Sequence, residues 1–198
     1  MYSRHSELVG IVVVTAMFAL VVPAVAQEAN APEGPTRKAP LRFTAIAVSM
    51  PQGVEGQVQI VVERWTTDDE RQALVTALAQ GGQDKLLSSL QSIKERTGFI
   101  RTPNSIGYDL RYCRENMLAD GTRQIVIATD KPVSFLAAAS QARTMDYPFT
   151  IVELRFDKDD KGEGKMLVGT RIAVANGRLE LENYGQQPVR LSNVRESK

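Results

Sequence analysis

The sequence predicts an α+β fold: a curled, mainly antiparallel β-sheet or partial barrel of about nine strands, with an inserted two-helix hairpin. Three observations lead there. Short runs rich in β-branched residues alternate apolar with polar and are separated by turn dipeptides, so neighbouring strands are hairpin-connected and antiparallel. Between Thr67 and Ile93 the apolar spacing becomes helical, interrupted once by Gly81-Gly82. A hairpin-linked sheet of that many strands curls or splits instead of staying flat.

Taken in order, residues 1–26 read as a secretory signal: Arg4 in a short head, an apolar run from Leu8 to Val22, then Ala24 and Ala26 as the small residues before cleavage at Gln27. An uncleaved anchor is the alternative, because Leu8 to Ala26 barely spans the ~30 Å of a bilayer core. No Cys lies near the cleavage site to carry a lipid, and no later apolar run approaches membrane length. The mature chain is therefore expected to be exported, periplasmic or extracellular, with no transmembrane segment. Residues 27–40 (QEANAPEGPTRKAP) read as a disordered linker, and 41–198 as a single domain.

Within that domain Leu41 to Val48 alternates as a strand and Gln57 to Trp65 follows as a β-branched one. Thr67-Asp68-Asp69-Glu70 is a capping box opening a helix with Ala73, Leu74, Ala77 and Leu78 on its stripe. Gly81-Gly82 stops it, and a second helix from about Asp84 carries Leu86, Leu87, Leu90 and Ile93. Gly98 to Asn116 forms two strands around a turn at Pro103-Asn104-Ser105. Asp120-Gly121 turns into Thr122–Thr129, and Pro132 opens a short helix or tight loop. Tyr147–Phe156, Lys165–Ala175, Leu179–Asn183 and Val189–Val194 complete the strands, with Asn176-Gly177 as one more hairpin turn.

Composition excludes several functions. The net charge is +1 and stays so when the signal leaves with one Arg and one Glu, so no electrostatic footprint for nucleic acid or for an anionic membrane is expected from the overall charge. The only His, His5, lies in the signal, so the mature chain has no Ser-His or Cys-His pair and no usual zinc site. No Walker A loop, G-x-G-x-x-G, G-x-S-x-G or S-x-x-K is present, and no cofactor or metal is expected. Cys113 is the only cysteine; it reads as a buried thiol, with an intermolecular disulfide as the alternative. Asp157, Asp159, Asp160 and Glu163 miss the spacing of a Ca²⁺ loop and read as a solvated turn. Trp65 is placed to pack a strand-to-helix corner, its N–H on a backbone acceptor.

The chemically richest stretch is Gly98–Asn116. Alternation places Tyr108, Leu110 and Tyr112 on one face and Asp109, Arg111 and Cys113 on the other. One reading makes Arg101, Tyr108, Asp109, Arg111 and Tyr112 a ligand pocket, with arginine meeting a carboxylate or phosphate and tyrosine walling it. The other has Asp109 and Arg111 make cross-strand ion pairs on a wet face and packs the tyrosines beneath the helices.

The stretches ERWTTDDER (63–71), GFIRTPNSIGYDLRY (98–112), DYPFTIVELRF (146–156) and ENYGQQPVRL (182–191) give the chain a resemblance to an uncharacterised family of exported bacterial proteins. The resemblance implies export and no particular chemistry. The leading functional expectation is a non-enzymatic protein binding a small or amphipathic ligand in a cup between sheet and helices. A protein-interaction or structural envelope module is the first alternative. A histidine-independent hydrolase using carboxylates or a Ser-Lys pair is the second.

Overall fold

The computed structural model describes residues 35–49, 54–133, 146–175, 178–183 and 187–197. Its elements are β1 (Leu41–Ser49), β2 (Val54–Val62), α1 (Asp68–Ser92), β3 (Gly98–Arg101), β4 (Tyr108–Leu110), β5 (Tyr112–Met117), β6 (Arg123–Thr129), β7 (Phe149–Phe156), β8 (Gly162–Ala175), β9 (Arg178–Asn183) and β10 (Val189–Ser197). All strands join one antiparallel sheet in the order β4-β3-β2-β1-β10-β8-β7-β6-β5, with β9 added to the outer half of β8. The curled sheet or partial barrel expected from the strand count is what forms.

The sheet curls because its two ends belong to one piece of chain. Only Arg111 separates β4 from β5. The first half of this segment pairs with β3, the second with β6. At the bend the Arg111 N–H reaches the Ala128 carbonyl at 2.9 Å. The result is a nearly closed barrel in which neighbours follow one another in sequence except on the two sides of β10, which pairs with β1 and with β8. Near-closure leaves few unpaired strand edges.

Inward positions are apolar. On β1 the alternation of buried and exposed residues is unbroken from Leu41 to Ser49. Phe43, Val58, Ile60, Ile100, Leu110, Cys113, Ile125, Ile127, Val152, Leu154, Phe156, Met166 and Leu191 fill the space between the walls, all at most 1% exposed. Phe43 and Phe156 meet with ring centroids 5.5 Å apart. Gly98 allows the closest backbone approach in this core: a Cβ there would lie 1.9 Å from the Val61 carbonyl oxygen. On β10, Asn193 takes a left-handed φ of 53° where the pairing register slips, which bends the strand around the barrel.

The helical stretch packs outside the barrel. Its capping box forms as the sequence predicts: Thr67 Oγ accepts from the Glu70 N–H, and Glu70 Oε2 accepts from the Thr67 N–H. Gly81 and Gly82 break it into two helical segments, Gly82 at φ 63°. Leu74, Leu86 and Leu90, with Leu78, Leu87 and Ile93 partly buried beside them, cover Phe149, Ile151, Ile172 and Tyr112 on the outer wall. Ala73, expected on this stripe, is exposed.

Two expectations change. The stretch 27–40 is not all spacer. Its last residues, 35–40, lie across one end of the barrel, with Thr36 and Arg37 bonded to Glu115 and the Trp65 indole N–H donating to the Arg37 carbonyl at 2.8 Å. Strand alternation also fails once, at Arg111. Leu110 and Cys113 both point inward while Tyr112 turns out beneath α1, so Cys113 does not share a face with Asp109. The bend adds one residue between the two inward positions, which reverses the facing of all that follows. The signal, the helix expected after Pro132 and the turn at Asn176-Gly177 lie outside the described residues.

Candidate functional site

The five residues singled out in Gly98–Asn116 are distributed over three environments. Arg101 points outward from β3, its Nε donating to Gln59 Oε1 at 2.8 Å and its guanidinium lying 5.3 Å from the Phe99 ring centre. Tyr108 packs partly buried against the barrel core. Tyr112 lies under α1, where burial pushes its hydroxyl pKa up and Arg71 hydrogen-bonds it.

Only Asp109 and Arg111 are brought together. Arg111 Nη2 stands 3.6 Å from Asp109, and its Nη1 donates to the Ile93 carbonyl at 3.1 Å. Its Nε lies 3.6 Å from Asp130, whose side chain is 8% exposed. Arg111 Nε and Asp130 Oδ1 are both buried without a hydrogen bond among the described residues. Outside this pair, Arg96 bridges Asp109 at 3.1 Å and Glu63 at 2.8 Å. These partners hold the Arg96 guanidinium charged well beyond its ordinary range, hydrogen bonding to Glu63 contributing most. The cluster therefore ties together the end of β2, the end of α1 and the bend. Its charges are spent on one another, and the five candidates do not line a common pocket among the described residues.

A second polar centre escaped the sequence reading. At the end of the barrel crossed by residues 35–40, Glu115 is fully buried and accepts from the Thr36 N–H at 2.5 Å, from Thr36 Oγ1 at 3.2 Å and from the Arg37 N–H at 3.3 Å. Arg123, 6% exposed, reaches Glu115 at 3.4 Å and Glu196 at 2.9 Å and stacks 4.2 Å above the Phe156 ring centre. Arg37 closes the network on Asp160 at 2.8 Å and Glu196 at 2.7 Å. The one available signal was a charged residue at an inward strand position, Glu115 two places after Cys113.

Other features have structural employment. Burial pushes the Cys113 thiol pKa well up, with Glu115 adding to the effect, so the thiol is unionised and inert. Asp157 accepts from the Asp159 and Lys161 amides at 2.9 Å, which folds its loop without a metal, and no metal-holding group of His, Cys, Asp or Glu occurs among the described residues. On the outer wall Glu153 binds Lys165 at 2.7 Å, Gln124 at 2.6 Å and Arg155 at 2.7 Å. Burial alone would raise its pKa; these bonds prevail and hold it at about 2. An open hollow of about 510 Å³ lies between the helix break and β8, lined by Gly81, Gln83, Asp84, Asp146, Tyr147 and Arg171. No described helix is long and apolar enough to cross a membrane.

No protein-family model, no curated protein and no solved structure matches the chain.

Proposed function

We propose that this chain is an exported, non-enzymatic binding module that uses its barrel as a solid scaffold and engages its partner on the barrel's outside. The observation that carries this reading is the filled interior. The space where a cup would hold a small or amphipathic ligand is occupied by Phe43, Phe156, Ile60, Leu154, Met166 and Leu191, each at most 1% exposed. A ligand of ordinary size needs ~300 Å³ or more, and room on that scale would require displacing several of these side chains. The enzyme reading has no comparable support. Asp109, Glu115 and Glu153 all sit in arginine or lysine pairs, and such pairs stabilise the ionised carboxylate instead of poising it for proton transfer. The apolar stretch from Leu8 to Val22 supports export.

The test is uptake of an environment-sensitive apolar dye and of a fluorescent fatty acid by the native chain. No saturable fluorescence rise is expected below the unfolding transition. Saturable binding at one site per chain, abolished by Ile60→Trp in the core, would return the function to the interior and overturn this reading.

A further inference from the structure

Resting on that reading of outer-wall engagement, we propose that the outer face of β3-β2-β1-β10 docks on an anionic lipid surface. Register fixes which residues share this face. Arg42, Thr44, Ile46 and Val48 of β1 lie opposite Val61, Gln59, Gln57 and Glu55 of β2. On the other side they lie opposite Ser197, Arg195, Ser192 and Arg190 of β10, and Gln59 and Val61 continue to Arg101 and Phe99 of β3. The inward neighbours Phe43, Ala45 and Ala47 are buried, so these positions lie on the outer side, where Val61 is itself covered at 3% exposed.

The face carries Arg42, Arg101, Arg190 and Arg195. None of them has a carboxylate partner among the described residues: Arg101 bonds Gln59 and Arg195 bonds Asn193. Arg64, Arg96, Arg114, Arg123 and Arg155, by contrast, sit in ion pairs. Glu55 is the one carboxylate on the face itself, because Glu63 at its margin is held by Arg96. Arginine left unpaired at the surface suits phosphate, which it meets through two parallel N–H bonds.

The layout favours a bilayer over a protein partner. The cations sit on three strands of a four-strand face, roughly 15 Å across, around a centre of Thr44, Ile46, Gln57 and Gln59. Protein interfaces of high affinity turn on an aromatic anchor buried in a central pocket. Here the one aromatic, Phe99, is already flanked by Arg96 and Arg101.

The experiment is vesicle co-sedimentation of the chain produced from its full sequence, with its N-terminus as the host leaves it. Vesicles of phosphatidylglycerol with phosphatidylcholine are compared with phosphatidylcholine alone, which measures any contribution of the apolar stretch. Binding should require phosphatidylglycerol and should fade as salt shortens the screening length from about 10 Å to about 3 Å. Arg42→Gln with Arg190→Gln should lower partitioning roughly thirtyfold, about fivefold for each arginine near an anionic surface. Arg155→Gln with Lys158→Gln, which removes as much charge elsewhere, should change it less than twofold. Equal binding to both vesicle types, or equal loss from the two pairs, overturns the proposal. Either outcome leaves the dye test of the filled barrel untouched, so the two readings fail separately.

Discussion

Replacing Glu115 by alanine tests the barrel-end network most directly. The carboxylate is fully buried and accepts three bonds from Thr36 and Arg37 besides its pair with Arg123. Stripping a buried cation of its sole partner costs about 3–5 kcal/mol. Arg123 keeps Glu196 at 2.9 Å and Asp160 at 3.6 Å, so that range is too high here. The Thr36 and Arg37 amides can turn to water once released, because both residues are partly exposed. The loss should be about 2–3 kcal/mol, a fall in Tm of roughly 5–10 °C for a domain of this size. Thermal unfolding followed by circular dichroism measures it. Trypsin supplies an independent readout: with residues 35–40 docked, cleavage at Arg37 and Lys38 is slow, and Glu115→Ala should speed it well below the melting temperature. Glu115→Gln retains an acceptor and should lose about 1 kcal/mol. A melting curve within about 0.5 kcal/mol of wild type, or an unchanged cleavage rate, would show that Glu115 does not hold the segment.

Three further outcomes are expected. Gly98→Ala places a Cβ 1.9 Å from the Val61 carbonyl oxygen, and the β2–β3 pairing should lose about 3 kcal/mol or more, read by urea unfolding. Cys113, at 0% exposure and with its pKa raised, should react with a thiol reagent at pH 8 only at the rate of global opening, and a fast phase in native buffer would contradict its burial. Glu153 has a folded pKa near 2 against an ordinary 4.5, so its contribution is complete above about pH 4.5 and is lost as pH falls toward 2. Exposure of Arg155 and Lys165 screens the gain to about 1–2 kcal/mol, and Glu153→Gln should flatten the acid limb of the stability curve by that amount.

Much of the architecture was legible because it depends on local chemistry. The alternation of Leu41–Ser49, the β-branched run of β2, the capping box at Thr67 and Glu70 and the break at Gly81-Gly82 each act within a few residues. What escaped acts across the chain. Nothing near Arg111 signals that one strand will bend there to serve two neighbours, since that follows from closing the sheet. The Arg37–Glu196 and Thr36–Glu115 contacts join residues far apart in sequence, and a Pro-rich stretch reads as spacer until its acceptors are in place. The candidate site was half legible: Asp109 and Arg111 do sit in ion pairs, and Tyr112 does lie beneath the helix. Which side Cys113 took could not be read once alternation was broken.

The seam between β1 and β10 bears on how the chain reaches its folded state. Apart from the β10–β8 ladder, every other ladder joins strands that follow one another, so β2 through β8 can assemble in sequence order as the chain is delivered. Leu41–Ser49 is delivered first, yet the partner for its far edge, Val189–Ser197, arrives last. Until then that strand presents a line of unsatisfied amides and carbonyls to whatever is nearby, a setting that invites aggregation. A chain truncated before Val189 should therefore accumulate as an adhesive intermediate instead of a smaller barrel, and a chaperone acting on this protein would find its substrate at β1.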